Sequence, residues 1–146
     1  MTALMSAELV AVLWLKGVSG IDATKVATML PRDVTAWSST GFVQVGAVLS
    51  DSAAPESRVR TAGVSVHLWA VNQDSGKPPW GKAANLGELV VAGCEAPGQQ
   101  RAVTKTGYAP VRVMDAEATG PRRVPGDEGA YAHYQLDLTL MWSATS

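Results

Sequence analysis

Two histidines, one cysteine and one alternating pair of carboxylates are the candidates for reactive side chains in this sequence. Histidine is the side chain whose ordinary pKa lies near neutrality, so His67 and His133 meeting across two strands would suit acid–base work. Each also reads simply as a strand-face residue. Asp115 and Glu117, two residues apart in a strand pattern, share one face and form a candidate carboxylate pair. A solvated strand edge is the simpler account of them. Cys94 is the sole cysteine, which excludes an intrachain disulfide and a cysteine-based metal site. It lies on a helix face of small residues with no base nearby, as a buried structural thiol does.

Other chemistries lack their required contexts. Gly63-Val64-Ser65 has no following glycine to complete a nucleophile elbow. Gly17 and Gly20 follow a helix, whereas a phosphate cradle lies between a strand and a helix. The two histidines form no HExxH pair for zinc. The expectation is a non-enzyme with no catalytic, cofactor-binding or metal-binding residues and no cofactor.

The 146 residues fit a single domain, 1–146. Twelve Lys and Arg against 13 Asp and Glu leave a net charge of −1, without the basic excess that nucleic-acid affinity needs. Charged residues are sparse at 17%, which leaves neutral surface for partners. The apolar start, Ala3 to Leu15, has no Lys or Arg before Lys16 to make a signal peptide. It is also shorter than the roughly 20 apolar residues a bilayer span takes. A soluble intracellular protein is expected. Five tryptophans against one phenylalanine suit both a core and interface hot spots.

The spacing predicts a helix over 3–16, stopped near Gly17 and Gly20. It is apolar on almost every face, so it should be buried on several sides, within its own chain or against another subunit. A short extended piece at 26–31 precedes a strand over 42–50, with Val43, Val45, Ala47 and Leu49 on one face. A polar loop follows at 50–57, then a central strand over 58–71, apolar on both faces near its end. Pro78 and Pro79 open a helix over 80–95. Its glycines, Gly87 and Gly93, suggest close approach to a sheet. A strand over 108–118, a solvated loop over 119–129 and a closing strand over 130–142 complete the chain. In that last strand Tyr134, Leu136, Leu138, Leu140 and Trp142 share the core face. The expected fold is α/β of the α+β kind: one mixed, mainly antiparallel sheet flanked by two helices, in the order helix, strands, helix, strands.

Four segments in this order, LVAVLWLKG, GVSVHLWAVN, KAANLGELVVAG and YQLDLTLMW, resemble the tail terminator proteins of long-tailed bacteriophages. The resemblance covers roughly 4–96 and 130–142; the loops at 50–61 and 119–129 match no signature of that family. It implies a hexameric ring at the head-proximal end of the tail tube that stops polymerisation and joins tail to neck. The implied partners are further copies of this chain, the tail tube protein and a head–tail connector or stopper. No membrane is involved, and DNA passes only as cargo through the lumen. The implied location is the tail–neck region of the virion, after synthesis in the host cytoplasm, and no active site carries over.

A ring needs heterologous contacts that close on rotation. The apolar first helix and the strand edges are candidate surfaces, and Arg58, Arg60, Arg122 and Arg123 are candidate interface residues on loops touching a neighbour or the tube. Two alternatives stand beside this reading: another neck subunit, such as a stopper or adaptor, or a small ligand-binding or enzymatic domain around His67 or His133.

Overall fold

Ser6 fixes where the first helix begins. Its side chain accepts the Leu9 N–H at 3.2 Å, so α1 spans Ala7–Lys16, with Glu8 in the first turn and Lys16 in the last to complement the helix dipole. The helix starts later than the periodicity predicts because Ala3 is bridged to Tyr108: its N–H donates to Gly107 O at 3.3 Å and its carbonyl accepts from Ala109 at 2.9 Å. The structure, a computed structural model, describes residues 3–54, 58–74, 77–125 and 130–144.

Among the described residues, seven strands form one sheet: β1 (Val26–Ala27), β2 (Phe42–Ala54), β3 (Val59–Val71), β4 (Arg101–Val103), β5 (Val111–Ala118), β6 (Arg122–Arg123) and β7 (Tyr131–Ala144). Their order is β1-β2-β3-β7-β5-β4, with β6 also paired to β7. Only β1 and β2 run parallel among the described strands. A second helix, α2 (Trp80–Gly93), follows Pro79. The fold is therefore α+β, with a mixed and mostly antiparallel sheet and two helices.

Both helices pack on one face of this sheet. Val43 and Val45 of β2, Val64, Val66 and Leu68 of β3, and Leu136, Leu138 and Leu140 of β7 are buried there. From α1, Val10, Ala11, Trp14 and Leu15 are fully buried, and Leu9, Val12 and Leu13 are half-buried against the same core. The chain's own core thus covers the nearly all-round apolar surface of α1. Leu86 and Val90 are the buried anchors of α2. Gly87 lies so close that an added Cβ would stand 2.5 Å from Pro121 and 3.0 Å from Leu68. Gly93 faces Val18 instead, so its small size serves the segment after α1.

Three sequence expectations need correction. The polar stretch after residue 50 is not a loop: β2 continues to Ala54, paired from Ser50↔Gly63 to Ala54↔Val59. Small and polar side chains do not exclude strand when the partner offers a regular ladder and a cross-strand ion pair, here Asp51 with Arg60. The expected alternation through Ala47 and Leu49 breaks at irregularities between Val45, Val48 and Ser50, which turn Leu49 outward to 54% exposure. The last third also holds β4 and β6, short strands without an apolar period to announce them. β6 falls inside the expected loop 119–129; residues 55–57 and 126–129 of the two expected loops lie outside the described residues.

Candidate functional site

The face of the sheet away from the helices gathers the polar strand residues. Register pairs Trp69 with His133 and His67 with Gln135, so the two histidines are diagonal neighbours. His67 Nδ1 and His133 Nε2 lie 2.8 Å apart, one neutral ring donating to the other. Trp69 stacks on His133 with centroids 3.8 Å apart and planes at 12°, and its Nε1 donates to Gln44 Oε1 at 2.9 Å. On the other side, Ser65 Oγ stands 3.4 Å from His67 Nε2 and accepts the Ala47 N–H at 2.8 Å. Gly46 makes room for this chain of contacts, since a Cβ there would lie 2.5 Å from Ser65 Oγ and 2.7 Å from His67 Nε2.

Burial favours the neutral form of both rings. Burial lowers the pKa of His67, and the Arg122 guanidinium lowers it further. Burial pushes His133 down to about 4, with His67 adding to the effect. The arrangement can hold and relay a proton between two rings. Ser65 is only 3% exposed and its oxygen already accepts a backbone N–H, so a substrate cannot reach it as a nucleophile. The network links β2, β3 and β7 and fixes the irregularity at Gly46–Ala47.

The other candidate residues are spread out. Asp115 and Glu117 do share a face, opposite Met141 and Thr139, further along β7 than the histidines. Cys94 caps α2 and packs against the core; burial raises its thiol to about 11, helped by Asp115, which leaves little thiolate at neutral pH.

The four arginines do not form one patch. Arg58 is exposed at φ 60, just before β3. Arg60, Arg122 and Arg123 lie in strands rather than in loops, because their backbones join the ladders of β3 and β6. Arg60 clamps Asp51 with two bonds (2.5 and 2.8 Å), donates to Met5 O at 3.4 Å and lies over the Trp142 ring. Arg122 meets Asp137 at 3.4 Å, while Arg123, on the opposite face, lies 4.0 Å from the Trp80 ring centroid.

Sequence reasoning missed a cavity of about 400 Å³ where the 30–37 segment folds over Trp69 and Tyr131. Its floor is Trp37, fully buried, with Nε1 donating to Pro31 O at 3.3 Å. The tryptophan excess was the signal available; the segment that folds back over the sheet has no periodicity to reveal it.

No family model matches the chain, and no curated protein matches it. A solved structure known only by a serial designation resembles it at 16% identity over 97% of each chain, with a TM-score of 0.44. Among the described residues, no helix is long and apolar enough to cross a membrane.

Proposed function

We propose that this chain is a self-assembling structural subunit that forms a ring, of the tail terminator kind that caps the head-proximal end of a phage tail tube. The observation that carries the self-assembly is an open strand edge bearing exposed Val48 and Leu49, with further apolar side chains exposed elsewhere. Leu4, Met29, Val48 and Leu49 are 70%, 77%, 40% and 54% exposed. Beyond Gln44, β2 has no neighbour on its outer side among the described strands. Such an edge, with large apolar groups on it, is a template for association. The assignment to a terminator rests on the sequence resemblance.

The test is native mass by light scattering, with negative-stain images, alone and after incubation with phage tail tubes. A closed ring that caps tubes supports the reading; a chain that stays monomeric both alone and with tubes refutes it. The hydrogen-bonded histidine pair supports a second, acid–base reading. Loss of a ligand or an activity in His67→Ala or His133→Ala, with the fold intact, would favour it.

A further inference from the structure

We propose that the Trp69–Tyr131 cavity receives Leu4 of a second copy of this chain, in a head-to-tail contact that repeats around the ring. This rests on the self-assembly reading and names the surfaces it uses.

The knob is rigidly presented. Ala3 is hydrogen-bonded into the 107–109 segment and Met5 is buried, so Leu4 between them is held outward at 70% exposure. In the first turn of α1, four residues after Leu4, Glu8 is exposed. The hole has the matching chemistry. Leu30, Val34, Trp69 and Tyr131 line it, and Arg32 adds an exposed cation. Aromatic rings with an arginine are the composition of an interface hot spot. An apolar knob four residues from an exposed anion thus meets an apolar hole lined in part by a cation, which sets both fit and polarity.

The two features occupy opposite ends of the sheet. Met5 touches Arg60 near one end of β3, and the cavity is built on Trp69, nine residues along, or about 30 Å at the rise of a strand. Leu4 therefore cannot fill its own cavity, and a patch that fits a different patch makes a heterologous contact. Such contacts close into rings or run on as filaments.

Two singly disabled variants test this. Leu4→Asp removes the knob and keeps the hole; Val34→Arg blocks the hole and keeps the knob. Each alone should be monomeric by light scattering, with unchanged near-ultraviolet circular dichroism. Mixed in equal amounts they should form a dimer of twice the 15.3 kDa chain and nothing larger, because one working contact remains. The exposed charges supply a second test that spares the fold. Glu8→Arg or Arg32→Glu should weaken association up to about five-fold, and the double swap should restore it.

Rings from both Leu4→Asp and Val34→Arg would overturn the proposal and leave the ring reading standing, with the contact moved to a surface such as Val48–Leu49. A wild-type chain that stays monomeric alone and on tail tubes would overturn both.

Discussion

The two faces of the sheet are made by the same strands, yet they are held by different forces. On the helix-covered face, alternate residues of β2, β3 and β7 are Val and Leu packed under α1 and α2. On the other face the intervening residues include Ser65, His67 and His133, which are organised by hydrogen bonds and stacking. A second, smaller apolar cluster of Trp37, Phe42 and Val71 covers only one end of that face. Burial scales with area and tolerates imprecision, whereas a polar network fails when one partner is lost. Substitutions on the two faces should therefore differ in size and in their response to pH.

The largest contrast is between two tryptophans. Trp14 is fully buried beneath the sheet, with Nε1 bonded to Gln99 O at 3.1 Å and Arg101 4.5 Å from its ring centroid. Trp14→Ala should cost about 3–5 kcal/mol in urea unfolding. Trp69, half-buried on the polar face, should cost about 1–2 kcal/mol as Trp69→Ala. Equal losses would show that the polar face is as much core as the other.

Within the polar face, Gly46→Ala should disturb the network more than the strand. The new methyl would meet only side-chain ends, Ser65 Oγ and His67, so the strand survives while the network is pushed apart. The expected loss is about 1–3 kcal/mol. By NMR titration, the pKa of His133 should rise from about 4 as the displaced network relieves its burial and His67 withdraws. An unmoved pKa would break the link drawn between Gly46 and the pair.

What was legible in the sequence divides along the same line. The alternation Leu136, Leu138, Leu140 and Trp142 in β7, and Val64, Val66 and Leu68 in β3, exposed the core face because burial writes a period of two. The two helices and the α+β class followed from similar patterns. The histidine pair was visible only as a possibility, since it depends on register: a shift of β7 by a single residue against β3 would move His133 to the other face. The distal half of β2 was missed because Ser50, Asp51 and Ser52 carry a loop composition, while their ladder is supplied by β3. Loop-like composition likewise hides the strands that hold Arg60, Arg122 and Arg123; the partners of Arg60 and Arg123, Asp51 and Trp80, are set by tertiary structure.

Acid should separate the faces further. Both histidines have lowered pKa values in the folded chain, so the unfolded chain binds more protons between the ordinary value of 6.5 and about 4. Stability contributed by the neutral pair is present in full above pH 6.5 and is lost as pH falls through that window. The melting temperature should drop from pH 7 to pH 4.5, and His133→Phe, which keeps a ring against Trp69, should flatten the slope. A slope unchanged by His133→Phe would mean that other groups govern it.

The smallest effect belongs to the ion pair between Asp51 and Arg60, about one-third exposed on each side. Two bonds from Arg60 hold the Asp51 carboxyl below its ordinary 3.8, so its contribution is present above that value and is lost at lower pH, beneath the histidine window. Partial exposure screens the pair, and Asp51→Asn should cost about 0.5 kcal/mol, less in high salt. Its effect should also be spent on the distal hairpin, because Arg60 reaches both Met5 O and the Trp142 ring once Asp51 orients it. Hydrogen exchange should then speed up in residues 50–52 and 60–63 and stay unchanged at His67 and His133. Faster exchange at the histidines would show that the hairpin and the polar network open as one unit, and would erase the distinction between them.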